Sequence, residues 1–112
     1  MEQTRIQALG DELYHAMIKR EAVLPLTSRG EDITIDDAYH ISLRMLERRL
    51  ADGASATDNK TGVTRQAVQN ILNVQQTAFG YWTHDMLFHR GAAVPSSARL
   101  IPPRADGELA FI

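Results

Sequence analysis

Thr34-Ile35-Asp36-Asp37-Ala38-Tyr39-His40-Ile41-Ser42-Leu43-Arg44-Met45-Leu46-Glu47-Arg48-Arg49-Leu50 is the stretch from which the fold is read. Thr34 carries the hydroxyl of an N-cap. Asp36 and Asp37 put negative charge in the first turn, where unpaired backbone N–H groups and the helix dipole favour it. Ala38, Ile41, Met45 and Leu46 recur at the three- and four-residue steps of one buried face, while Arg44, Arg48 and Arg49 crowd the later turns where the dipole favours cations. Gly53 suits a C-terminal cap. An amphipathic helix needs an apolar partner, and the preceding segment offers one. From Thr4 to Val23 the residues Ile6, Leu9, Leu13, Ala16 and Met17 repeat the same period, and Pro25 is the stop. Leu26-Thr27-Ser28-Arg29-Gly30 has the small and polar residues of a loop between the two helices.

Beyond Gly53 the helical period is lost. Ala54 to Gly62 is polar and ambiguous, and Thr64 could cap a short helix carrying Val68, Ile71 and Leu72. Gly80-Tyr81-Trp82 and Gly91 to Pro95 read as short strands and turns, and Pro102-Pro103 suits neither a helix interior nor a central strand. From Arg104 the chain runs into Leu109-Ala110-Phe111-Ile112, a β-type apolar run with no turn or partner strand after it. Helices first and strands late, without repeats, is the order of an α+β protein.

Composition narrows the function classes. One domain, or a piece of one, is the expectation for 112 residues of which 44% are hydrophobic. Twelve Lys and Arg against fourteen Asp and Glu leave a net charge of -2, so no positive field gathers nucleic acid or an anionic membrane. The absence of cysteine excludes disulfides, thiolate metal sites and a Cys nucleophile, and suits the cytoplasm. The N-terminal segment is amphipathic rather than apolar and reads as neither signal peptide nor membrane span.

The residues best able to carry chemistry are Arg104-Ala105-Asp106-Gly107-Glu108. On a strand, side chains two apart share a face, so Asp106 and Glu108 could converge on one hard cation such as Mg²⁺ or Mn²⁺. A D-x-E pattern alone equally describes two acids on the solvated face of an edge strand. Lys60, between Asn59 and Thr61, by itself reads as a solvated surface lysine, and reaches a pocket only if its stretch is extended. His84 and His89, five apart, match neither helical nor strand ligand spacing, and His15 and His40 fall on the helices.

Taken together, Leu9-Gly10-Asp11-Glu12-Leu13-Tyr14, Pro25-Leu26-Thr27-Ser28-Arg29-Gly30, the block Asp36 to Leu50, Gly62-Val63-Thr64, Ala67-Val68-Gln69-Asn70, Phe79-Gly80-Tyr81, Leu100-Ile101 and Pro103 to Phe111 resemble one family. It is that of the bacterial 2-hydroxypenta-2,4-dienoate hydratases, relatives of 4-oxalocrotonate decarboxylase in the fumarylacetoacetate hydrolase superfamily. The helix block and the Pro-Leu-Thr-Ser-Arg-Gly loop look more like the hydratase branch than the decarboxylase branch.

The resemblance implies a metal-dependent lyase that adds water to 2-hydroxypenta-2,4-dienoate, giving 4-hydroxy-2-oxopentanoate in the meta-cleavage breakdown of aromatic compounds. It implies Mg²⁺ or Mn²⁺ held by a strand carboxylate pair, which Asp106 and Glu108 match, plus a third acid further along. Lys60 falls on the family lysine that assists proton transfer or charge stabilisation. A homo-oligomer acting on a small 2-oxo or 2-hydroxy dienoic acid is implied as well. For the fold it implies N-terminal helices (1–53) leading into the start of a mixed β-sandwich or roll (54–112), with the chain truncated before that fold is complete.

Departures from the family pattern keep two alternatives open. Ala54 to Gly62 is polar where the family has a hydrophobic strand leading into Gly-Lys-Lys-Ile-Gly. Gln75-Gln76-Thr77-Ala78-Phe79-Gly80 stands where the family has His-Gln-Pro-Asp-Phe-Gly, leaving Ala78 in place of an acid. Asp106 is one methylene shorter than the family Glu. The alternatives are the decarboxylase, and a non-catalytic helical interaction module that has lost the chemistry.

Overall fold

The computed structural model describes residues 1–62, 65–73, 75–95, 100–102 and 104–108. Its architecture is α+β. Two long helices, α1 (Gln3–Lys19) and α2 (Ile35–Ala51), precede a two-stranded antiparallel sheet of β1 (Ala56–Gly62) and β2 (Ala78–Thr83), with a short helix α3 (Gln66–Leu72) between the strands. A wider sheet is absent among the described residues. No helix of these residues is long and apolar enough to cross a membrane.

α2 starts where the sequence places it. The Thr34 hydroxyl accepts from Asp37 N–H while the Asp37 carboxylate accepts from Thr34 N–H, each at 3.0 Å, so two orphan donors of the first turn are satisfied reciprocally. The helix ends at Ala51, followed by Asp52 and by Gly53 at φ +96°. α1 departs from expectation at its end. It stops at Lys19, well short of Pro25, because Arg20 turns left-handed at φ 56° and its N–H, with that of Glu21, takes up carbonyls of the last turn. Leu26–Arg29 is a single 3₁₀ turn closed by Gly30 at φ 78°.

The core lies in the α1–α2 seam. Leu9 is fully buried and Ile6 and Ile41 nearly so, with Leu13, Leu26 and Ile33 packed around them. Met45, Leu46, Ala16 and Met17 are half-buried, whereas Ala38, expected in the stripe, is exposed. Tyr14 and Gly10 are buried instead. A methyl group on Gly10 would lie 2.5 Å from both Cβ and Cγ of Arg44, so the close helix crossing depends on the missing side chain. A polar seam runs beside the core. Arg44 Nε donates to Asp11 at 2.8 Å, Arg48 pairs with the same carboxylate at 3.0 Å, and the Arg48 guanidinium lies 4.6 Å over the Tyr14 ring. The Tyr14 hydroxyl in turn donates to Asp52.

The ambiguous stretch 54–62 is a strand built from polar residues. β2 brings the aromatics, and β1 borrows its place from that partner. The register sets Asn59 opposite Tyr81, Lys60 opposite Gly80, Thr61 opposite Phe79 and Gly62 opposite Ala78, with a bulge between Ala56 and Asp58. The other face of the pairing is local to the hairpin base: His84 N–H donates to Ser55 O at 2.8 Å, and Ser55 N–H donates to His84 Nδ1 at 3.0 Å. α3 forms as read but begins at Gln66 with Arg65 as its N-cap residue, and Ile71 and Leu72 on it are exposed. Thr64, the expected cap, lies outside the described residues.

Two further expectations fail. Gly91 sits in a turn but no strand forms over 91–95, and 104–108 is extended backbone without a ladder partner among the described residues, so Asp106 and Glu108 are not on a strand there. Strand hydrogen bonds need a paired backbone, and among the described residues the only ladder is that of β1 with β2. Leu109 to Ile112 lie outside the described residues.

Candidate functional site

Alternation along β2 divides the hairpin into two faces. Phe79, Tyr81 and Thr83 turn toward α2: the Phe79 ring centroid is 6.4 Å from that of Tyr39, and Phe79 N–H donates to the Tyr39 hydroxyl at 3.2 Å. Thr83, 1% exposed, accepts from Arg49 Nη2 at 3.0 Å. Residues directly opposite in an antiparallel pair share a face, so Lys60, paired with Gly80, stands on the side turned away from the helices. Nothing lies within 4 Å of where a Gly80 side chain would begin, which leaves the Lys60 stem unobstructed across the sheet.

From there Lys60 reaches Glu108. Its Nζ lies 2.8 Å from Glu108 Oε2 across 48 residues of sequence, with the lysine side chain 41% and the glutamate 52% exposed. Two of the three residues singled out in the sequence are thus brought into contact. Asp106, exposed on the same segment, has no hydrogen bond or ion pair among the described residues. No group of three His, Asp or Glu residues capable of holding a metal ion occurs among the described residues. The histidines stay outside the site: His15, His40 and His84 are exposed, and His84 commits its Nδ1 to Ser55.

A charged cluster that the sequence reading missed sits at the opposite face. Arg49, read as a cation at a helix end, bonds both Thr83 and Asp85, and the Thr83 hydroxyl also donates to Asp85. The Thr83 bond, and then that from Arg49, hold the Asp85 carboxyl below its ordinary range against the opposing effect of burial. Arg49 Nε is buried without a hydrogen-bond partner among the described residues. The arrangement clasps the end of β2 onto α2. A cleft of 590 Å³ beside it is walled by Met17, Ile18, Met86, Phe88, Val94 and Leu100, and a second of 350 Å³ lies along α1 and α2 near His40 and Leu43. Neither cleft includes Lys60 or Glu108. The signal for the clasp was faint in sequence, since Arg49 and Asp85 are 36 residues apart.

Chemically, the Lys60–Glu108 pair offers a cation and a carboxylate at one solvent-reachable place on the open face of the sheet. That is a means to attract an organic anion and to move a proton.

Comparison with known proteins follows the same lines. No protein-family model matches the chain. It is 61% identical over all 112 residues to a 2-hydroxypent-2,4-dienoate hydratase of Pseudomonas putida, of which it covers 50%. A 2-hydroxyhexa-2,4-dienoate hydratase of Comamonas testosteroni is 45% identical over 108 residues, 96% of this chain and 41% of that protein. The chain therefore spans about half the length of the curated relatives it matches. Among solved structures, 4-oxalocrotonate decarboxylase from Pseudomonas putida G7, complexed with calcium and acetate, shares the fold. Its TM-score is 0.71 at 20% identity, covering 74% of this chain and 32% of the decarboxylase, and the same enzyme with magnesium and adipate matches equally. Over its whole length the chain is thus similar in sequence to 2-hydroxypent-2,4-dienoate hydratase, and it aligns with about half of that enzyme's length.

Proposed function

We propose that the chain serves a hydro-lyase that adds water to 2-hydroxypenta-2,4-dienoate to give 4-hydroxy-2-oxopentanoate, in the cytoplasmic breakdown of aromatic compounds. The observation that carries this reading is the 61% identity to a 2-hydroxypent-2,4-dienoate hydratase over every residue of the chain. In this reading residues 1–53 are a helical region and 54–112 begin a β-rich catalytic domain, a mixed sandwich or roll to which the β1–β2 hairpin belongs. Homo-oligomers are the working form.

The reaction is a ketonisation followed by a conjugate addition. The enol O–H proton is lost and the terminal carbon of the diene gains one, leaving a 2-oxo-3-ene; the hydroxyl of water then bonds the fourth carbon and its proton the third. Negative charge builds on the 2-oxygen in both steps, and a fixed cation beside it lowers the barrier. Lys60 is the residue of this chain suited to that task, since β1 holds it on the open face where the substrate carboxylate can also approach. Glu108, in contact with it, is suited to take or return the proton.

A divalent cation, as bound in the decarboxylase structures, is the cofactor this reading implies, as Mg²⁺ or Mn²⁺. The described residues do not fit it by themselves. Asp106 and Glu108 provide two carboxylates, one already bonded to an ammonium, where a hard cation takes about six oxygens.

The test is turnover by the whole protein. Loss of the dienol absorbance with formation of 4-hydroxy-2-oxopentanoate is expected, and Glu108→Ala or Lys60→Met should each lower the rate at least a hundredfold. Failure to consume the dienol, or dominant release of CO₂ from 4-oxalocrotonate, would overturn the reading.

A further inference from the structure

The two strands of the hairpin leave the helical body at one place. β1 begins at Ala56, directly after Ser55, and β2 ends at Thr83, directly before His84. A regular antiparallel rung joins such a pair by two bonds from N–H to carbonyl. Here one bond is of that kind, His84 N–H donating to Ser55 O at 2.8 Å. In the other, Ser55 N–H donates at 3.0 Å to His84 Nδ1, an imidazole nitrogen in the place of a carbonyl oxygen. The ladder just inward is irregular, with a bulge between Ala56 and Asp58, so this rung closes the mouth of the hairpin. We infer that the Ser55–His84 rung is a pH-sensitive hinge, closed while the imidazole is neutral and opened when it takes up a proton. The inference stands apart from the proposed reaction and does not depend on it.

A backbone amide can only donate, so Nδ1 must present its lone pair to Ser55. A proton on Nδ1 sets two donors face to face, and the bond is lost. Histidine is the side chain that ordinarily gains this charge as pH falls from 8 to 5. The surroundings receive the charged ring. His84 lines a cleft of 360 Å³ together with Arg49 from α2, Asp52 from the turn after it and Asp85 from the 3₁₀ turn His84–Met86, while α1 contributes the apolar Ile18. Two carboxylates against one guanidinium favour an imidazolium there. Thr83 and Arg49 hold the Asp85 carboxyl below its ordinary range, so that it stays charged while a histidine titrates. Neutral, the ring bridges the two strands; charged, it turns to the acids. Ser55 and His84 are exposed, so water takes the released amide. The closing bond is therefore complete at the upper end of the histidine range and is lost as pH falls through it. The strand pair that carries Lys60 loosens at its root, while the core of Ile6, Leu9 and Ile41 is untouched.

Amide hydrogen exchange of the 112-residue chain, read residue by residue by NMR and expressed as protection relative to the intrinsic rate at each pH, tests the hinge. Protection at Ser55 is expected to fall about two- to tenfold between about pH 7.5 and about pH 5.5, the range for loss of one hydrogen bond, with the amides of α1 and α2 level. His84→Ala removes the acceptor and should show the lower protection at both pH values. His40→Ala, which removes the exposed ring beside Asp36 on α2, should keep the wild-type response to pH. Equal protection of Ser55 at the two pH values in the wild-type chain, whether high or low, overturns the hinge. So does a pH response that survives in His84→Ala.

Discussion

Gly10 is the residue on which the helix crossing turns. Alanine in mid-helix ordinarily gains about 1 kcal/mol over glycine. Here the added methyl would meet Arg44 Cβ and Cγ at 2.5 Å, and the near end of a side chain cannot swing aside as its tip can. Overpacking of this kind costs about 1–3 kcal/mol, so Gly10→Ala should be net destabilising in urea titrations, against the sign that propensity alone predicts. The carboxylates of the same region give a second test. Asp11 is held below its ordinary range first by the Arg44 bond and then by Arg48, Asp37 by the backbone and hydroxyl of Thr34, and Glu31 by Arg5. Groups whose pKa is lower folded than unfolded stabilise fully above their unfolded values, about 4, and lose that contribution as pH falls through the folded ones. Helical circular dichroism should therefore be level from pH 7 to about 5 and decline below 4, with a shallower decline in Asp11→Asn.

At the scale of elements, the Thr34 cap decides whether α2 starts cleanly. Thr34→Ala should cost about 1 kcal/mol and Thr34→Ser much less, read as shifts in the urea midpoint. This helix was legible because its start is written in local chemistry: a hydroxyl, two acids and a period, all within a dozen residues. The end of α1 was not, because Arg20 in a left-handed turn leaves no mark in composition, whereas Pro25 invites a boundary that the helix never reaches. β1 was hidden for another reason. Its residues are polar, and its strand character comes from β2 some twenty residues on, a partner that no local window contains. The expected strand at 104–108 errs in the opposite direction, since a β-type sequence forms a strand only beside a neighbour. Of the candidate site, Glu108 stood out through the D-x-E spacing it shares with Asp106, and Lys60 only through family resemblance; their contact across 48 residues was beyond any spacing rule, and Arg49 of the clasp was read as a dipole effect.

For the molecule as a whole, the small core and the exposed apolar surface pull against each other. Leu9, Ile6 and Ile41 are buried, but Ile71 is 80% exposed and Leu72 and Phe79 are each 56% exposed. The two-stranded sheet has both outer edges unpaired among the described residues, and sheets of this size are marginal alone. The 112-residue chain on its own should be helical, melt over a broad range and self-associate as its concentration rises. A single monomeric species in sedimentation together with a sharp cooperative melt would count against this and favour an independent helical module.

The clasp of Arg49 on Thr83 and Asp85 has a consequence in time as well as in space. Apart from the Tyr39 contacts with Phe79, it is the main polar link from the hairpin to α2, and it is made by a single side chain. Two bodies joined at so few points open independently, so native-state hydrogen exchange should resolve two protection classes, with amides of α1 and α2 slower than those of β1 and β2. Arg49→Met would leave the slow class nearly where it is and hasten the fast one by about ten- to a hundredfold, the kinetic counterpart of losing a charged hydrogen-bond pair worth on the order of 1–3 kcal/mol. The hairpin would then breathe against a helical pair that stays shut.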